Sequence, residues 1–177
     1  MIATATVLEN ALFDEVAIPR SARLPPFHVT WHVAAAYDWA EAADALGEIA
    51  AVSEPFNARV LRAHVFETDR FAVVGLLEDD TALRTLHDRI VASLAPFSHH
   101  VDERYATPDW LPHVTLASGL SEEEARALGE GFDAFLAGHA VAVDNVAFLS
   151  VEFGRFILSN VQRFERSYRG RIDRTYE

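Results

Sequence analysis

The chain has no cysteine, which excludes disulfide scaffolds, thiolate metal sites and cysteine nucleophiles. Lysine is absent as well, so all fifteen cationic side chains are arginine. Any phosphate-bearing partner must therefore be met by guanidinium, imidazole, hydroxyl or backbone N–H groups. No apolar run approaches the roughly 20 residues of a membrane helix, and the opening Met1 to Thr6 lacks the basic stretch of a secretory leader. The expectation is a soluble, cytoplasmic protein with no membrane partner. Positive charge is scarce overall: the formal net charge is −12 over 177 residues. Such a surface repels duplex DNA, whose non-specific binding needs a basic face, but leaves a small nucleotide or the end of an RNA strand as candidate partners.

Hydrophobic residues make up 50% of the chain, enough to bury a core without metal or disulfides. Ile2 to Leu8 alternates as a strand does, and Pro19 to Pro26 is a turn-rich approach to the next element. Phe27 to Val33 alternates over seven residues and predicts a half-buried strand. Asp38 to Val52 places Trp39, Ala42, Leu46 and Ile49 at helical spacing, with Asp38 as N-cap. Two strands follow, Ala58 to Phe66 and Phe71 to Leu77, joined through Glu67 to Arg70. Thr81 to Leu94 predicts a helix that buries Leu83, Leu86, Ile90, Val91 and Leu94. Ser98 to Asp109 has no period and reads as the connector between the halves.

Beyond the connector the order recurs. A strand is predicted from Leu111 to Ala117, then a helix from Ser121 to Leu136 opened by a Ser121/Glu124 capping box, then strands from Ala140 to Val151 and Phe156 to Val161. The points His28/His113, Thr30/Thr115, Arg70/Arg155 and Phe71/Phe156 share one offset of 85 residues. This is an internal duplication, and the chain reads as one bilobal domain over 1–177 with halves at roughly 20–95 and 105–165. A site shared between two halves of one chain needs no second subunit, so a monomer is expected.

Within a strand, His28, Thr30 and His32 point to one face while Val29, Trp31 and Val33 point to the core. His113 and Thr115 repeat the arrangement opposite Val114 and Leu116. Eight histidines and nine threonines would give fewer than one His-x-Thr triplet by chance. Two identical His-Val-Thr copies, each in a strand and each followed by a helix, therefore carry information. Two imidazoles facing one phosphoester can take a proton from the attacking oxygen and give one to the leaving oxygen, with no metal or other cofactor required. The threonine hydroxyls would hold the non-bridging oxygens.

The segments Pro26-Phe27-His28-Val29-Thr30 and Pro112-His113-Val114-Thr115-Leu116 resemble the two signature motifs of the 2H (two-histidine) phosphoesterase superfamily, and the resemblance covers nearly the whole chain. It implies an α+β fold: a bilobal internal duplication with two antiparallel sheets lining a central cleft and helices on the outer faces. It also implies metal-independent cleavage or formation of 2′-linked phosphoesters, such as RNA 2′,3′-cyclic phosphate ends. By motif match, His28 and His113 inherit the acid and base roles, and Thr30 and Thr115 the phosphate contacts.

Around this centre, His32, Arg70 and Arg155 are candidates for contacts to an anionic substrate, and Tyr105 and Trp110 for stacking on a nucleobase. Each also has an ordinary structural explanation: a solvated strand-end histidine, hairpin-turn arginines, and packing against the second lobe. His64 reads as a hydrogen-bonded structural histidine that could also floor the cleft. His99, His100 and Asp102 resemble a metal cluster in composition only, because adjacent histidines in an extended segment face opposite ways. The arginine-rich tail from Arg163 to Arg174 could guide RNA or pair with the acidic surface. Two other functions remain open on the sequence: a non-catalytic phosphate-binding module, and a hydrolase with metal held by His28, His32 and His113.

Overall fold

Alternation with a period of two becomes strand, and the 3.6-residue stripe becomes helix, along most of the chain. The computed structural model describes residues 2–7, 27–67, 70–105, 108–152 and 155–165. In chain order the elements are β1 (Ile2–Val7), β2 (His28–Tyr37), α1 (Trp39–Ala51), β3 (Phe56–Glu67), β4 (Phe71–Leu77), α2 (Thr81–Leu94), β5 (Ser98–Val101), β6 (His113–Leu120), α3 (Glu122–Leu136), β7 (Ala140–Val143), β8 (Asn145–Glu152) and β9 (Arg155–Arg163). The proline-rich approach at 19–26 and the tail beyond 165 lie outside the described residues.

The helices form where the apolar stripe predicts them. α1 buries Ala42, Leu46, Ile49 and Ala50. α2 buries Leu83, Leu86, Ile90 and Leu94 as expected, with His87 rather than Val91 completing the stripe. Asp80 caps α2 by accepting a hydrogen bond from the Leu83 N–H at 2.8 Å, and the predicted Ser121/Glu124 capping box opens α3. Asp38 occupies the N-cap position of α1, but its carboxylate makes no capping bond and instead meets His99 Nε2 at 3.0 Å.

Two predicted segments differ. The connector is partly regular: Ser98–Val101 forms β5 along the inner end of β2, pairing Ala34 with Val101 and Tyr37 with Ser98, and Glu103–Tyr105 closes a 3₁₀ turn. The backbone N–H and C=O groups at the end of β2 need partners, and the connector supplies them. The strand expected from Ala140 to Val151 is broken at Asp144. β7 pairs with β3, whereas β8 pairs with β1 and β9, so the break is where the chain leaves one sheet for the other.

The strands follow one hydrogen-bonded antiparallel order, β7-β3-β4-β6-β2-β1-β8-β9 with β5 on β2, whose two halves, β7-β3-β4-β6 and β2-β1-β8-β9, line the central cleft. They meet through one pairing of β2 with β6, Val29 opposite Val114. Each half of this order draws strands from both halves of the sequence, because β6 joins β4 and β8 joins β1. The duplication is thus one of element order, and the spatial lobes exchange strands. α3 packs on β3 and β4, and α1 and α2 pack on each other and on the sheet that holds β2, β8 and β9. Trp31, Trp110, Phe132 and Phe148 are the largest fully buried apolar side chains.

Candidate active site

The Val29/Val114 pairing of β2 with β6 fixes the geometry of the centre. With Val29 opposite Val114 in antiparallel register, His28 falls opposite Thr115 and Thr30 falls opposite His113. Both valines are buried in the core, and all four flanking residues are half-buried on the other face. Diagonal neighbours across an antiparallel pair have Cα atoms about 7–8 Å apart. Two imidazoles at that separation can bracket one phosphorus with its entering and leaving oxygens.

The environment of His113 is well defined. Its Nδ1 lies 2.7 Å from the Leu111 carbonyl oxygen, so Nδ1 carries the donated proton and Nε2 keeps its lone pair. The Phe66 ring meets the imidazole edge to face at a centroid distance of 5.2 Å. Burial lowers the His113 pKa below 6.5, with the Leu111 carbonyl pulling the other way. The net result is a neutral imidazole at pH 7. A cavity of about 440 Å³ opens beside it, lined by Phe66, Tyr105, Asp109, Trp110, His113 and Thr115 among others.

Of the expected stacking residues, Tyr105 lines this cavity half-buried, whereas Trp110 is 2% exposed and serves largely as a wall. The Trp110 indole N–H donates to the Thr30 carbonyl at 3.0 Å, which ties the connector to the first motif strand. Its ring is stacked on His87 at 4.0 Å and 9°, with the Arg84 guanidinium 5.4 Å from its centroid. His87 was not singled out by the sequence. It is fully buried, and its Nε2 meets the Tyr105 carbonyl at 2.9 Å. The one available signal was its position in the apolar stripe of α2, between Leu83 and Ile90.

His32 does not reach the cleft. β1 pairs Thr4 with His32 and the next residue, Ala5, with Thr30, so Trp31 is an extra residue in β2. The extra residue breaks the strict alternation of β2, so His32 no longer shares the face of Thr30. This bulge turns His32 to the helix side, where it is 1% exposed and its Nδ1 lies 2.7 Å from the Tyr37 hydroxyl. Burial first, and His87 second, lower its pKa from 6.5 to about 4. The metal set of His28, His32 and His113 therefore cannot converge on one point.

Arg70 is exposed and close enough to α3 to help lower the Glu124 carboxyl, after the dominant hydrogen bonds from Ser121. Arg155 begins β9 opposite Glu152, and its side chain lies outside the described residues. His99 is paired with Asp38, and Asp102 with Arg104 at 2.6 Å. No cluster of metal-ligating side chains occurs among the described residues, nor is any helix there long and apolar enough to cross a membrane.

Comparison with known proteins agrees with this architecture. The crystal structure of E. coli LigT complexed with 3′-AMP aligns over 93% of this chain and 98% of its own, with a TM-score of 0.62 at 15% identity. A crystal structure described as a phosphoesterase aligns over 93% and 98%, with a TM-score of 0.56 at 15% identity. E. coli LigT complexed with phosphate aligns over 93% and 97%, with a TM-score of 0.57 at 17% identity. No curated protein sequence matches the chain. The family model of the 2′-5′ RNA ligase superfamily matches residues 8–154. That span includes both His-Val-Thr strands and the contact between them, and the chain belongs to the 2′-5′ RNA ligase superfamily.

Proposed function

We propose that this protein is a metal-independent phosphoesterase that opens, or in reverse forms, 2′-linked phosphoesters such as the 2′,3′-cyclic phosphate at an RNA end. The observation that carries the reading is the Val29/Val114 register, which sets two His-Thr pairs diagonally about one point. His113 is the base. Its Nδ1 proton is committed to the Leu111 carbonyl, and its lowered pKa keeps Nε2 unprotonated near neutrality. In hydrolysis, Nε2 takes a proton from water as the water oxygen bonds to phosphorus. The bond from phosphorus to one ribose oxygen breaks, and the His28 imidazolium gives its proton to that oxygen.

Thr30 and Thr115 donate to the non-bridging oxygens, on which negative charge accumulates in the transition state. The cavity beside His113 takes the nucleoside, with Phe66 and Tyr105 offering apolar ring surface. E. coli LigT, of the same fold, has been crystallised with 3′-AMP and with phosphate, which supports a nucleotide as the ligand class. Both histidines lie on one chain, so the mechanism needs no second subunit.

The test is steady-state turnover of nucleoside 2′,3′-cyclic monophosphates in EDTA, with product position identified. His28→Ala and His113→Ala should each lower kcat by about 10²- to 10⁴-fold. Unchanged turnover in either variant overturns the assignment, and tight binding without turnover by the native chain would make the cleft a sensor instead.

A further inference from the structure

The cleft face of the β3-β4-β6 sheet extends beyond the two motif strands. Leu76 of β4 pairs with His113 on one side and with Arg62 on the other. Val74 likewise pairs with Thr115 and with His64. Residues paired across a sheet share a face, so two rows run outward from the centre: His113-Leu76-Arg62 and Thr115-Val74-His64. At about 4.8 Å per strand, Arg62 stands roughly 10 Å from His113. Among the described residues, β7 covers only Phe56 to Arg59 of β3, so the rows end on an open sheet edge.

The residues at this edge do not match the acidity of the molecule. The protein carries a net charge of −12, yet Arg62 is exposed and His64 half-buried. Arg62 forms no ion pair among the described residues. Phe66 joins the edge to the centre, its ring edge to face with His64 at 5.1 Å and with His113 at 5.2 Å. A groove of about 320 Å³ continues past the edge, lined by Arg62, His64, Arg126, Glu130 and Asp133. Arg126 is paired with Glu122 at 2.7 Å, and Asp133 accepts from the Ala63 N–H at 2.9 Å. Arg62 is thus the cation best placed to meet a ligand there.

We propose that the edge strand β3 forms a second phosphate site, in which Arg62 and His64 hold the phosphate of the nucleotide next to the reacting one. This rests on the phosphoesterase reading above and adds a specificity-determining contact to it. A mononucleotide would fill the cavity beside His113 and leave the row to Arg62 unused. A single strand that continues outward brings its next phosphate toward the guanidinium, the charge-assisted contact that an otherwise acidic surface lacks.

The experiment compares a nucleoside 2′,3′-cyclic monophosphate with a trinucleotide ending in the same cyclic phosphate. The native protein should show a kcat/KM about tenfold higher on the trinucleotide, the worth of one charged hydrogen bond. Arg62→Glu should remove that advantage and leave the mononucleotide within about twofold. Equal use of both substrates by the native protein, or a parallel fall on both in Arg62→Glu, overturns the proposal. If the native protein turns over neither, the phosphoesterase reading fails. Binding of a 2′-deoxy trinucleotide 3′-phosphate then decides separately: weakening by Arg62→Glu supports the edge site, and unchanged affinity rejects it.

Discussion

At His113 the position of one proton follows from the backbone. The carbonyl of Leu111, two residues earlier, fixes the Nδ1–H tautomer, and burial favours the neutral ring. A base must be unprotonated to act, so a depressed pKa keeps it active at lower pH. The acidic limb of kcat/KM should therefore fall below pH 6.5, the ordinary histidine value, and a limb at or above it would contradict the assignment of His113 as base. Trp110→Phe probes the opposite wall. The change keeps a ring against His87 but removes the N–H that binds the Thr30 carbonyl. Leaving that carbonyl short of a donor should cost about 1–2 kcal/mol in urea unfolding, with kcat falling more than KM rises. That His28, Thr30, His113 and Thr115 stand about one point was legible because a triplet repeated in matching strands stands out from chance. His87 was not, since an isolated histidine in an apolar stripe carries no pattern. His32 was misplaced because strict alternation cannot register the extra residue at Trp31.

The same contrast holds for whole elements. β4 and α2 fall where their periods place them, at Phe71–Leu77 and Thr81–Leu94, because turn residues and caps bound them locally. β5 and the break at Asp144 were not legible. β5 is four residues of mixed polarity, stabilised by the free edge of β2 rather than by any preference of its own. Asp144 separates two apolar runs without glycine or proline, and its carbonyl is held from afar by the Phe164 N–H at 2.8 Å. Local signals do bear on α2, whose first turn depends on the Asp80 carboxylate. Asp80→Ala should lower stability by about 1 kcal/mol, read as a shift in the urea midpoint at constant slope. An unchanged midpoint would mean that water satisfies the Leu83 N–H equally well.

At the scale of the whole molecule, the two halves of the strand order exchange strands and join at the Val29/Val114 register, with α2 docked behind β2. Two buried histidines lie in that docking surface, His32 on β2 and His87 on α2, and both have lowered pKa values through burial. The titratable neighbours are Tyr37, Arg84 and Asp88. The unfolded chain takes up a proton at each histidine near pH 6.5, whereas folded His32 resists until about pH 4. Stability from His32 is thus complete above pH 6.5, drains away as pH falls toward 4, and changes no further below that. The expected loss from this site is on the order of 3 kcal/mol. Urea unfolding of the native protein and of His32→Gln between pH 7.5 and 4 isolates it, since glutamine can still bind the Tyr37 hydroxyl but does not titrate. The variant should show a clearly shallower decline, the remainder belonging to His87 and the carboxylates. Parallel curves for the two proteins would mean that His32 is protonated in the folded state, and the docking surface would then have to accommodate a charge beside His87.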